Sequence, residues 1–137
     1  IKTARGNIEI EFLNNLARGT VKNFVRLARK GFYKGLTFHR IVPNLVIQGG
    51  DPDGTGWGGP GYTIACEVHS EPFTRGSVGM ALSGKDTGGS QFFISQGRAP
   101  QLDGKYTLFA QVTDGQKVVD AMAPGDQILD VELRLSK

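Results

Sequence analysis

The sequence predicts a mainly β fold, a closed eight-stranded antiparallel barrel capped by two α-helices. Three observations carry that expectation. Most apolar runs are short and are separated by clusters of Gly, Pro, Asn and Asp, the spacing of an all-β sandwich or barrel. The intervals between them are too short for the crossover of roughly a dozen residues that parallel pairing demands. Only two stretches carry apolar residues at helical spacing. Closing eight strands on themselves removes the exposed sheet edges, and the two amphipathic helices then cover the open ends.

The elements follow in order. Ile8, Ile10 and Phe12 alternate with Asn7, Glu9 and Glu11, the pattern of a half-buried strand that Asn14-Asn15 breaks. Thr20 reads as an N-cap. Val21, Phe24, Val25 and Ala28, with Leu27 beside them, then line one face of a helix over 20–30 that Gly31 stops. Strands are expected at Thr37–Val42, Leu45–Gln48, Tyr62–Ala65, Val78–Leu82, Gln91–Ile94 and Thr107–Val112. Asp114 can cap a second, shorter helix carrying Val118, Val119 and Met122, which Pro124-Gly125 ends. Val131, Leu133 and Leu135 alternate as a closing strand.

Composition narrows the class. The 137 residues suit one domain, taken as 1–137, and the opening Ile1-Lys2-Thr3 without Met suggests that it was excised from a longer protein. Twenty glycines are about twice the usual share of roughly 7%, yet no G-X-Y period makes them collagen. Eight Phe and a mean hydropathy of -0.22 argue against disorder. No apolar run approaches the roughly 20 residues that span a bilayer, so a soluble protein without membrane contact is expected, in the cytoplasm or periplasm. One cysteine, Cys66, excludes an internal disulfide and a multi-cysteine zinc site.

Several motifs fail on their context. Gly54-Thr55-Gly56-Trp57-Gly58-Gly59 matches a dinucleotide fingerprint, but Pro60-Gly61-Tyr62 cannot begin the helix whose N-terminus would hold a pyrophosphate. Gly79 to Lys85 fits a phosphate loop except that Asp86 stands where a hydroxyl should meet magnesium. Asp51 and Asp53 begin like a calcium loop, and Tyr62 occupies the place of its bidentate Glu. Cys66 and His69 are spaced like half a metal site, with only His39 left to help. No metal or other cofactor is therefore expected. Arg18, Lys22, Arg26, Arg29 and Lys30 share a helix face that could meet nucleic acid, but no aromatics interleave and a solvated helix back is the better reading.

Two segments resist a purely structural account: Phe38-His39-Arg40-Ile41-Val42-Pro43 through Gln48-Gly49-Gly50-Asp51, and Gly88-Gly89-Ser90-Gln91-Phe92-Phe93-Ile94 followed by Leu102-Asp103-Gly104-Lys105-Tyr106. Arg40, Gln48 and Gln91 interrupt otherwise apolar strands, and burying them costs free energy unless they are paired. Either a structural hydrogen-bond network or a pocket with an apolar floor and orienting polar groups accounts for them.

These segments resemble the cyclophilins, the cyclosporin-binding peptidyl-prolyl cis-trans isomerases, and the resemblance runs from the Asn7–Phe12 strand to the chain's end. The short connection after Lys30 looks like bacterial members. The resemblance implies an eight-stranded barrel with a helix at each end and a site on its outer face. It implies that Arg40 is the catalytic arginine and that Gln48 and Gln91 position it and the substrate backbone. It implies that Phe93, Leu102 and Ala81 border a proline pocket, that Leu45 and Val46 stand where Phe and Met are common, that Tyr106 replaces a frequent His, and that Leu82 contributes its backbone to substrate. Gln101 replaces a Trp that favours cyclosporin, so weaker affinity for the drug is expected. The implied partners are proline-containing peptides and unfolded client proteins, met by a monomer. A non-catalytic module that binds proline peptides is the alternative.

Overall fold

A computed structural model describes residues 1–134. In chain order it holds β1 (Lys2–Thr3), β2 (Gly6–Asn7), β3 (Glu9–Phe12), α1 (Arg18–Arg29), β4 (Arg40–Val42), β5 (Val46–Gly49), β6 (Ser77–Met80), β7 (Phe92–Ser95), a 3-10 turn at Pro100–Leu102, β8 (Leu108–Asp114), α2 (Gln116–Ala121) and β9 (Ile128–Asp130). The fold is mainly β with two helices, as the spacing of apolar runs predicts. Every strand pairing among the described residues is antiparallel. One sheet has three strands in the order β2-β1-β9, and the other has six in the order β3-β8-β6-β7-β5-β4.

The differences from expectation have local causes. Helix α1 begins before Thr20, at Arg18, and Ala17 in the N-cap position offers no side-chain acceptor. The cap comes from far along the chain: Glu67 accepts the Gly19 N–H (3.1 Å), the Thr20 N–H (2.6 Å) and the Thr20 hydroxyl (2.7 Å). A carboxylate at a helix N-terminus also suits the helix dipole. Gly31 does end the helix, with φ at 72°. Asp114 closes β8 instead of capping α2, because Gly115 takes the cap position in the left-handed region; a Cβ there would lie 2.2 Å from the Asn7 carbonyl oxygen. Tyr62–Ala65 is not a strand; Ile64 alone bridges to Gly88. Thr37 makes only isolated bridges to Asp51 and Gln127, and the strand expected there is confined to Arg40–Val42. The closing strand is Ile128–Asp130, ahead of the expected Val131 and Leu133, and Leu135 lies outside the described residues.

Alternation along the six-stranded sheet gives it two unlike apolar faces. Ile47, Val78, Phe92, Ile94 and Phe109 point into the main core, where they meet Val21, Phe24, Leu27 and Ala28 of α1. Val46, Phe93 and Leu108 point the other way, into a second apolar cluster. At the centre of the main core Phe92 is fully buried. It packs edge-on against Phe24 and Tyr33, both at 5.6 Å between ring centroids, and against Phe38 at 6.0 Å. Such edge-to-face contacts add to the area that each ring buries. Phe92→Ala should therefore cost about 3–5 kcal/mol in urea unfolding; a loss below about 1 kcal/mol would show that the cluster is not the centre of stability.

Candidate functional site

The second apolar face and the edge of the sheet meet along one cross-strand row. Arg40 of β4 pairs with Gln48 of β5, Gln48 with Phe93 of β7, Phe93 with Gly79 of β6, and Gly79 with Leu108 of β8. Directly opposed residues in a sheet share a face, so the register alone sets a cation and an amide beside an aromatic ring.

The polar end of the row is an ordered chain of hydrogen bonds. Arg40 Nη1 donates to Gln48 Oε1 (3.2 Å), and Gln48 Nε2 donates to Gln91 Oε1 (3.0 Å). Gln91 Nε2 in turn donates to the carbonyl oxygens of Gly56 (3.0 Å) and Gly58 (2.9 Å). Each glutamine accepts at its oxygen and donates at its nitrogen, so turning either amide over would set donor against donor. Arg40 is exposed and Gln48 and Gln91 are half-buried, which corrects the expectation that all three are sunk within strands. They face outward, β4 is an edge strand, and Gln91 stands one residue before β7. Four other arginines (Arg5, Arg75, Arg98 and Arg134) sit in ion pairs; among the described residues Arg40 sits in none.

The apolar end holds most of the remaining candidates. Val46 and Phe93 are buried in the second cluster with Phe73, Ala99 and Leu108, and Leu45, Ala81, Leu102 and Tyr106 pack half-buried against it. Leu82 does not join this patch; its side chain lies towards Gly88. It follows Ala81, whose N–H donates to the Gln91 carbonyl oxygen (3.0 Å). Gln101 is exposed on the turn before Leu102. The Phe93 ring stands edge-on to Tyr106 (5.5 Å, 86°) and is tilted against Phe73 (5.6 Å, 32°). Asp103 fixes this wall: it accepts the Phe73 N–H (2.7 Å) and pairs with Arg98, whose guanidinium holds the Asp103 carboxyl below the usual carboxylate range.

Sequence reasoning missed Phe73, Ala99 and Leu108, which lie far apart in the chain and meet only through the fold. It also missed Gly79, although a lone glycine inside a strand signals close approach of other groups. The Phe93 ring lies over Gly79, where a Cβ would stand 2.4 Å from Phe93 Cζ and 2.8 Å from Phe73 Cε2. The cationic face of α1 is separate from the row. There Arg18, Lys22, Arg26, Arg29 and Lys30 rim a shallow depression of about 470 Å³ over Val21 and Val25.

Comparison with known proteins identifies what the chain as a whole is similar to. The family model described as cyclophilin type peptidyl-prolyl cis-trans isomerase/CLD matches residues 1–133. A peptidyl-prolyl cis-trans isomerase of Synechococcus elongatus is 49% identical over 135 residues, covering 97% of this chain and 93% of its own. Peptidyl-prolyl cis-trans isomerase B of Bacillus subtilis is 52% identical over 128 residues, covering 92% and 90%. Among solved structures, a Cryptosporidium parvum cyclophilin type peptidyl-prolyl cis-trans isomerase, crystallised in the presence of the dipeptide Ala-Pro, superposes with a TM-score of 0.90 at 30% identity, covering 98% of this chain and 96% of its own.

Gly79→Ala tests the packing of the row. Phe93 is held between Phe73 and Tyr106 and cannot swing away freely, so the added methyl should lower stability by about 1–3 kcal/mol and shift the Phe93 ring resonances. An unchanged aromatic spectrum would show that the ring is not pinned over this glycine.

Proposed function

The chain belongs to the cyclophilin-type peptidyl-prolyl cis-trans isomerases and catalyses rotation about X-Pro peptide bonds, and we propose that it does so on the row from Arg40 to Leu108. The observation that carries this reading is an unpaired arginine held by a neutral amide at the border of an apolar patch. Proline-containing peptides are the proposed substrates, as the Ala-Pro dipeptide of the Cryptosporidium parvum structure suggests, and unfolded chains slowed by X-Pro isomers are the proposed clients. An eight-stranded closed barrel is the proposed architecture. It is supported by β2 and β3, which belong to different sheets, being separated by Ile8 alone, and by hydrogen bonds joining 35–38 to 125–128.

The chemistry needs little else. Amide resonance imposes a barrier of about 20 kcal/mol to rotation, and no bond is made or broken, so neither nucleophile nor metal has a step to perform. As the bond twists, the lone pair returns to the proline nitrogen, which becomes a hydrogen-bond acceptor. Arg40 is always protonated and keeps N–H donors free beyond the one given to Gln48. It therefore stabilises the twisted amide more than either planar form, which is the condition for catalysis. Phe93, Leu102, Leu45, Val46, Ala81 and Tyr106 hold the proline ring and exclude water, which strengthens the field of the guanidinium. Gln48 and Gln91 hold the backbone on one side of the bond while the other side turns, and the Leu82 backbone borders the same segment. Gln101 offers no aromatic face beside Leu102, which supports weak cyclosporin binding.

Arg40→Ala should lower turnover of a short prolyl peptide at least about tenfold, equivalent to roughly 1.4 kcal/mol of barrier, with the peptide still bound by the apolar patch. Exchange spectroscopy on the bound peptide reads both quantities, and undiminished exchange in a folded variant would remove Arg40 from the mechanism. Because rotation about the amide transfers no proton, the catalysed rate should stay flat between about pH 6 and pH 8. A bell-shaped profile would contradict the assignment.

A further inference from the structure

Asp51 is the only fully buried charged side chain among the described residues, 1% exposed, and no cation pairs with it. An isolated carboxylate in such a place is costly unless donors surround it. The donors here are backbone groups. Oδ1 accepts the Asp53 N–H (2.8 Å), and Oδ2 accepts the Thr55 N–H (2.9 Å) and the Gly56 N–H (2.5 Å). Burial pushes the Asp51 carboxyl up, but the N–H groups of Asp53, Gly56, Gly58 and Thr55 together outweigh it and hold the group below the usual carboxylate range. The loop wraps so closely that a Cβ on Gly58 would stand 1.9 Å from Oδ1.

The same loop supplies the last acceptors of the hydrogen-bond chain. Gly56 is gripped at its N–H by Asp51 and at its carbonyl by Gln91, and the Gly58 carbonyl takes the second hydrogen of the Gln91 amide. A loop free to drift would leave that amide without a fixed partner, and the disorder would pass through Gln48 to Arg40. We propose that Asp51 is a positioning residue for the isomerisation: its buried carboxylate folds 51–58 into a rigid cradle whose two carbonyls orient Gln91, and through Gln48 the arginine. This inference rests on the site assignment made above.

Asp51→Asn tests it. Whichever way the new amide turns, an NH2 group faces a backbone donor. The catalysed exchange rate of a short prolyl peptide should fall about tenfold while the peptide's dissociation constant changes less than about twofold, the split expected when only the transition state loses an interaction. Trp57, the only tryptophan, sits 84% exposed on this loop, and its fluorescence anisotropy should fall as the loop loosens. In the Gln91→Ala background Asp51→Asn should cost nothing further, since the two residues act in series. Gly58→Ala, whose methyl would press on the Asp51 carboxylate while leaving that group in place, should give the same split, and it decides the matter if Asp51→Asn does not fold. A wild-type rate in folded Asp51→Asn, or a loss that adds in full to that of Gln91→Ala, would overturn the inference while leaving the site assignment intact. A wild-type rate in Gln91→Ala would overturn both.

Discussion

Side chains along a strand alternate with a period of two, so a sheet that is apolar on both faces must carry two unlike sets of residues in one short sequence. The six-stranded sheet meets this constraint with four-residue strands: Val46-Ile47-Gln48-Gly49 and Phe92-Phe93-Ile94-Ser95 each send alternate residues to the core and to the outer patch. A slip of one residue between them would turn Phe93 inward and Phe92 outward. The register is therefore fixed by the core, where Phe92 is surrounded by three aromatic rings. The outer row inherits that precision at no separate cost in stability. The arginine and the aromatic floor are aligned because the residues behind them are packed.

The sequence made much of this legible, for physical reasons. Short apolar runs between turn residues announced antiparallel strands, and the helical face at Val21, Phe24 and Ala28 announced α1. Arg40, Gln48 and Gln91 were visible as polar residues where apolar ones belong, and the structure joins them in one chain of hydrogen bonds. What stayed hidden was tertiary. Glu67 caps a helix nearly fifty residues earlier, a separation at which local pattern carries no signal. Phe73, Ala99 and Leu108 read as ordinary core residues because apolar character does not say which face of a sheet a residue will occupy. The resemblance assigns only the Leu82 backbone to substrate, and nothing in the local pattern said that its side chain would follow Ala81 onto a segment leaving β6 and lie towards Gly88.

The loop over 51–58 shows how glycine content can mislead and inform at once. Three of its residues are glycine, which suggests flexibility, yet a buried carboxylate gathers its N–H groups and Gln91 gathers its carbonyls. Glycine is needed at Gly58 because of contact, since any side chain would meet Asp51, and at Gly54 and Gly56 because φ is positive. The result is an ordered loop that exposes Trp57, made rigid by polar groups rather than by apolar burial.

The choice of an amide to hold the arginine follows from the field that the reaction requires. A carboxylate in place of Gln48 would bind the guanidinium more firmly, because charge-assisted hydrogen bonds are about twice as strong as neutral ones. It would also set a negative charge about 3 Å from the cation, and at the distance of a bound proline nitrogen the two fields would largely cancel. The Gln48 carbonyl contributes on the order of 1 kcal/mol of orientation and leaves the full charge directed outward. The same reasoning applies to Gln91, which transmits orientation from backbone carbonyls that carry no net charge. Along the hydrogen-bond chain the ionised Asp51 is separated from Arg40 by two amides and a peptide loop, and its charge is already spread over the N–H groups that surround it. Rigidity and charge are thus supplied by different residues, so the site can be stiff without being neutral.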